Sequence, residues 1–349
     1  MTQGGRIKAL DGLRGVAAMV VLLHHLGVPG FGDYLGRCVI TLFFILSGYL
    51  MRRRYPEMSL TWDAWRHIML KKAIRFYPLH WLALSVLLLF SAWGWRWDLP
   101  LHVALLQSLI PCSSYCFSYN LTAWFISTLM VCYALFPVVT MILNKLNLFS
   151  RIGLQVGILI CFWTLASTVW HPSSNYYFYI FPPARLLDFM TGMILCDVVA
   201  NSSCATRALS QMAWSVIEVL SIIVVVAFVY VVKFIHVEFF KPMSYALWWY
   251  LPVCIVLTAL VFHRQTVGCV SRLLSTKPIV FLGRISMEVF LLQHVTLSIC
   301  RKSTEWLGLM DRVMLVDAIS VAATIIIAYI AHRFCTMPLG SLQRRYSSN

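Results

Sequence analysis

Apolar residues run through this chain in long blocks separated by short polar breaks. Crossing a hydrocarbon core takes about 20 helical residues. The breaks predict ten such helices, over residues 10–29, 38–51, 76–93, 123–143, 152–170, 184–200, 214–232, 244–262, 279–300 and 313–332. Residues 152–170 and 244–262 are the cleanest. The second helix is short for a span, and its start can be drawn back to Tyr34. Residues 101–111 are apolar but too short to cross, and read as an interfacial or re-entrant piece of a long outer connection. The expected fold class is all-α: a polytopic integral membrane protein with one transmembrane domain over residues 1–349.

Composition agrees with the pattern. Hydrophobic residues make up 60% of the chain and charged ones 12%, against roughly 25% charged in a soluble domain. The 21 Phe, 15 Tyr and 13 Trp suit lipid-facing rings and aromatic belts. A net charge of +15 would suggest nucleic acid in a soluble protein. Here the cations decorate alternate connections, so no nucleic acid is expected. Arg52, Arg53, Arg54, Arg66, Lys71, Lys72 and Arg75 crowd one side, with Arg6 and Lys8 before them; Arg37, Arg96, Arg301 and Lys302 are among the fewer on the other. That asymmetry places both termini in the cytoplasm. The first apolar block follows Arg6 and Lys8 without a small-residue cleavage site, and reads as the first helix rather than a removed signal. The 11 cysteines offer no metal framework, and a disulfide between Cys112 and Cys116 stays open. The aromatic segment 171–183, which begins with His171 and Pro172, reads as an interfacial anchor in preference to a sugar-stacking platform.

Ionisable residues inside a span are costly and mark candidate chemistry. The first helix is richest, with Asp11, Arg14, His24 and His25. At about 100° per residue, the eleven positions from Arg14 to His25 return to nearly the same face, roughly 16 Å further along. His24 falls on another face. Asp11, one turn before Arg14, is spaced to pair with it. A guanidinium aligned with a buried imidazole can hold a carbonyl or anion and move a proton. The bland alternative is a satisfied core histidine and a snorkelling arginine. Lys72 and Arg75, one turn apart, are spaced to clamp a phosphate, although that segment alone reads as ordinary inner-surface charge. Arg185 with Asp188, and Arg284 with Glu288, are spaced for intrahelical pairs. Glu218 and Asp317 lack a local partner and read as interhelical hydrogen-bonding residues.

Taken in order, these segments resemble the acyltransferase-3 family of membrane O-acyltransferases. Residues 6–15 (RIKALDGLRG) look like its opening, and Arg14 through His25 matches its Arg, ten residues, His signature. Phe43-Phe44-Ile45-Leu46-Ser47-Gly48-Tyr49 is similar to its second-helix motif, and Lys72-Ala73-Ile74-Arg75-Phe76-Tyr77-Pro78 to its paired-basic motif. Trp124–Ser127 with Tyr133 and Pro137, Arg185–Phe189 with Gly192, and Leu282–Ser286 with His294 complete the set. The chain departs from the pattern at Thr41, Leu129 and Met130, where acidic residues are common, at Lys72, where Arg is usual, and at Thr336–Leu339.

The resemblance implies an acyltransferase that takes an acyl group, usually acetyl, from cytoplasmic acetyl-CoA or another acyl-CoA. Its acceptor would be a hydroxyl of a glycan or lipid-linked oligosaccharide. His25 and Arg14 carry over as the catalytic pair and Lys72 and Arg75 as donor contacts. Asp11, Ser47 and Arg284 are supporting candidates, and no metal is expected. The partners are then acyl-CoA, the glycan and membrane lipids, and the location a bacterial cytoplasmic (inner) membrane. The rival classes are a multi-pass transporter and a structural subunit of a glycan-assembly complex.

Overall fold

A computed structural model describes residues 6–90, 96–110, 112–168, 175–202, 209–234, 247–262, 267–306, 308 and 313–339. Helix α1, Lys8–Leu26, is unbroken and stops at Gly27, whose φ of +80° returns its N–H to the His24 and Leu23 carbonyls. A residue without Cβ takes that left-handed turn at no steric cost. Helix α2 spans Asp33–Arg54 and α3 spans Trp62–Phe90. The connection between α3 and the next long helix holds two short helices, α4 (Leu99–Val103) and α5 (Ser113–Cys116). Then come α6 (Ala123–Asn144), α7 (Leu148–Thr168), α8 (Asn175–Tyr179), α9 (Pro182–Asn201) and α10 (Gln211–Phe234). The last third holds α11 (Tyr250–Val261), α12 (Cys269–Leu274), α13 (Lys277–Arg284), α14 (Ser286–Trp306) and α15 (Val313–Ala331). No strand occurs among the described residues.

Seven of these helices are long and apolar enough to cross a membrane: α1, α2, α3, α6, α7, α10, and α15 with its continuation to Leu339. The pair α13 and α14, bent by 65° at Ile285, adds an eighth if counted as one span. Helix α9 coincides with the expected span 184–200 but carries Arg185, Asp188 and Asp197. The expected span 244–262 shows as the 12 residues of α11, and residues 244–246 lie outside the described residues, as do His171 and Pro172. Helix α3 begins well before residue 76, so Lys71, Lys72 and Arg75 stand on a continuous helix rather than in a loop.

Helices α2 and α9 form the buried centre and run side by side in the same direction. Arg185 meets Thr41 at one end and Arg52 meets Asp197 at the other. Gly48 lies against the Phe189 carbonyl and Gly192 against that of Ile45, so close that a Cβ at either would overlap it. Helix α1 meets α13 in the same way through Gly15 and Gly283. Helix α10, in contrast, leaves Val216, Ile223, Val226 and Tyr230 exposed, the surface expected towards lipid tails.

The connection between α3 and α6 is held by a buried polar network. Arg96 and Ser118 both donate to Asp98, and His80 and His102 bond to the His102 and Tyr115 carbonyls. Tyr176 and Phe178 of α8 are buried, the former donating to the Ser108 carbonyl, and only Tyr177 stays open. Tyr176 thus fastens α8 to this connection while Phe178 packs on Phe162 of α7, so these two rings are used inside the protein rather than offered as a stacking platform. Cys112 and Cys116 are free, with the Cys116 thiol donating to the Gln107 carbonyl at 3.1 Å. Burial pushes the Cys116 thiol up to about 12, whereas the Ser114 hydroxyl and neighbouring amides lower that of Cys112.

Candidate active site

Arg14 is fixed where α13 breaks into α14. Its Nε donates to Ser286 Oγ at 3.0 Å and its Nη2 to the Gly283 carbonyl at 2.8 Å. Asp11 stands 3.6 Å from Nη2, as the spacing predicted, and is itself bonded by Arg6. The 65° bend leaves the Gly283 carbonyl without a continuing helix, and Arg14 answers it. Three directions of the guanidinium are therefore used by the protein, and Nη1 remains for a ligand.

In front of Arg14 lies a cavity of about 540 Å³. Lys71, Lys72 and Arg75 of α3 enter it, with Arg54 from the end of α2. It therefore presents five cations and no carboxylate. Phe43, Phe125 and Phe290 line its apolar part, with Phe125 and Phe290 at 4.7 Å between ring centroids. The Lys72 ammonium sits 3.8 Å over the Tyr133 ring, a cation–π contact that holds a charge without neutralising it. Ser47 also lines the cavity, but its hydroxyl donates to Phe43 of its own helix at 2.7 Å, and no imidazole lines the wall beside it. A covalent role for Ser47 thus finds no base.

An adjoining cavity of about 950 Å³ shares Arg14 and Arg75 and adds Arg6, Asp11, Arg284 and Arg333. Arg284 is exposed there. Its expected pairing with Glu288 is not formed: Glu288 is buried and bonds His332 Nδ1 at 2.7 Å. The break at Ile285 separates the two residues onto differently directed helices, so the four-residue spacing no longer brings them together. Arg185 and Asp188 do pair, at 2.6 Å and fully buried. Glu218 accepts from the Ser271 amide and hydroxyl, the interhelical role expected of it.

His25 stands apart from this cavity, at the far end of α1. It faces Gln293, His294 and Arg301 of α14, and Arg301 donates to its carbonyl at 3.3 Å. Arg14 and His25 thus look onto the same neighbouring helix, as their spacing predicted. His24 turns the other way, bonding the Phe31 carbonyl in the connection before α2 and packing on Gly36 of α2. The structure therefore brings Arg14, Lys72, Arg75 and Ser47 to one cavity and places His25 about 16 Å along the helix from Arg14. Sequence reasoning missed Arg54, Lys71, Ser286 and Gln293. Carrying the α3 pattern back to Trp62 would have put Lys71 on the helix beside Lys72; Ser286 lay within the Leu282–Ser286 resemblance, but nothing in the sequence tied it to Arg14, because that contact depends on the bend.

A family model for an acyltransferase domain, acyltransferase-3, matches residues 7–333. The chain belongs to this family. No curated protein and no solved structure matches it. The acyltransferase-3 match takes in the whole of α1 and the lining of both cavities except Arg6 and the residues after Arg333. Thr41, one of the departures from the resembled pattern, accepts from Arg185, whose charge is met by Asp188. Leu129, a second departure, lines the first cavity and leaves it without a counter-charge.

Proposed function

We propose that this acyltransferase moves an acyl group, acetyl in the simplest case, from cytoplasmic acyl-CoA to a hydroxyl of a cell-surface or lipid-linked glycan. The observation that carries the reading is the 540 Å³ cavity with five cations and no carboxylate. Such an array is costly to hold together without an anion of several charges, and the phosphates of coenzyme A are one. Lys72, Arg75, Lys71 and Arg54 receive phosphates, the adjoining cavity offers Arg6, Arg284 and Arg333 to the nucleotide end, and Arg14 Nη1 orients the donor. The pantetheine arm then passes Phe43, Phe125 and Phe290 towards His25.

There His25 takes the proton from the acceptor hydroxyl as its oxygen attacks the thioester carbonyl, and the thiolate leaves with coenzyme A. Holding both substrates at one imidazole supplies much of the rate by proximity. The topology proposed with this mechanism has ten crossings, counting α9, α11 and the bent α13–α14 pair, with both termini in the cytoplasm of a bacterial inner membrane. Helix α9 is long enough, at about 30 Å, and its charges are answered by Thr41, Arg52 and Arg151.

The test is purified protein reconstituted in lipid and given labelled acetyl-CoA, with and without glycan extract. Label transferred to glycan, or slow thioester hydrolysis without it, is the expected result. Neither reaction, together with no saturable binding of acetyl-CoA, would overturn the donor assignment. Mass spectrometry of surface glycans with and without the gene identifies the acceptor.

A further inference from the structure

Two buried atoms at the outer end of α1 complement each other. His25 Nδ1 is buried and makes no hydrogen bond, and the same holds for Gln293 Oε1. The Gln293 side chain is wholly buried. Its amide has one orientation, because Nε2 donates to the Phe290 carbonyl at 3.1 Å; Oε1, which can only accept, is left for the imidazole. The two side chains are hydrogen-bonding neighbours, although the bond is not closed. An unmet buried polar group costs about 1–3 kcal/mol, and hydrogen bonds of catalytic groups are commonly loose before substrate binds.

We propose that Gln293 is a positioning residue for His25: Oε1 accepts from Nδ1–H, fixing the tautomer that leaves the Nε2 lone pair for the acceptor hydroxyl. The ring's charged and titratable neighbours are His24 on α1 and His294 and Arg301 on α14. The nearby carboxylate of Asp33 on α2 lies towards His24, at 3.9 Å from its Nε2. The orienter is therefore neutral. An amide selects the tautomer and ring angle without stabilising the imidazolium, as a carboxylate in its place would. The same residue ties the base to the donor cavity, since its amide holds the carbonyl of Phe290, one turn away on the cavity wall. The catalytic consequence rests on the proposed function; the tautomer does not.

Histidine-15N-labelled protein in micelles at mildly alkaline pH reports the tautomer directly, with the His25 signals assigned by their loss in His25→Asn. The expected pattern is Nδ1–H in wild type, retained in Gln293→Glu and replaced by the Nε2–H form or a mixture in Gln293→Leu. Gln293→Met, close in volume, serves if the leucine variant does not fold. Nε2–H in wild type, or a pattern unchanged without the amide, overturns the proposal. In the transfer assay, Gln293→Met should lower kcat about 10- to 100-fold, the scale of a lost orienting partner, with donor KM unchanged. Gln293→Glu should move the pH optimum upwards. A raised donor KM with unchanged kcat would overturn the positioning role. Failure of wild type itself to transfer, with the expected tautomer pattern present, would sink the proposed function and not the hydrogen bond.

Discussion

Arg14 and Lys72 hold their charge in different ways, and each predicts how a substitution behaves. Arg14→Lys keeps the charge but loses the fork that spans Ser286, Gly283 and Asp11. An ammonium that reaches the Gly283 carbonyl cannot also face the cavity. The expected loss in rate is about 30- to 1,000-fold, as for one charge-assisted bond worth ~2–4 kcal/mol in a water-poor site. Activity within about threefold of wild type, at matched protein level, would leave Arg14 a structural residue. Lys72→Ala and Arg75→Ala should chiefly raise the donor KM, because remote phosphate contacts bind ground and transition states alike. Tyr133→Phe should change little, since the ring under Lys72 is kept, while Tyr133→Leu should also raise the KM. A fall in kcat alone would place these residues at the reacting centre. His25→Ala should abolish transfer, whereas His24→Ala should cost mainly stability, given its bond to Phe31 and contact with Gly36. The reverse ranking would refute the assignment of the base. At this scale much was legible from spacing alone: Asp11 with Arg14, Arg185 with Asp188, and the shared orientation of Arg14 and His25. The Arg284–Glu288 pair was misread because spacing rules assume an unbroken helix. Gln293 carried no signal, since its meaning comes from an atom on another helix.

Helices were legible because apolar runs of span length leave the backbone one way to satisfy its hydrogen bonds. Their ends and breaks were less so. Helix α3 starts at Trp62 because nothing in the basic stretch 66–75 breaks a helix, and charge marks the membrane surface rather than a helix end. The bend at Ile285 has no proline to announce it; it is fixed from outside, where Gly283 packs on the Asp11 carbonyl and Arg14 caps the break. The α2–α9 contact is the element on which the most depends, since α2 carries Ser47 and Arg54 into the cavity. A Cβ at Gly48 or Gly192 would enter a facing backbone carbonyl, which has no room to move. Gly192→Val should therefore cost more than the ~1–3 kcal/mol of ordinary overpacking, seen as a lowered melting temperature and poor expression. Gly153→Val, on the α7 surface where no atom lies within reach of a Cβ, should be tolerated. Equal stability of the two variants would mean that the close α2–α9 approach is not needed.

The described residues form two unlike ends, and the proposed mechanism requires that they face opposite compartments. One end gathers Arg6, Arg54, Lys71, Lys72, Arg75, Arg284 and Arg333 around the two cavities. The other carries the 96–122 connection, α8 and His25. Cations at a membrane surface are retained on the cytoplasmic side, where the proposed acyl-CoA donor resides, so the charge pattern and the proposed donor call for the same orientation. Two native cysteines mark the ends. Cys112 lies in the connection between α3 and α6, at the His25 end, with its thiol lowered by the Ser114 hydroxyl, which raises the thiolate fraction that reacts with maleimide. Cys269 is exposed at the start of α12, on the side of the cationic cavities. In variants that keep one or other cysteine alone, a membrane-impermeant maleimide added to spheroplasts should label Cys112 at once. It should reach Cys269 only after permeabilisation. Labelling of Cys269 from outside would invert the topology, turn the cationic cavities away from the compartment that holds acyl-CoA, and remove the basis for the donor assignment however well the residue variants behaved.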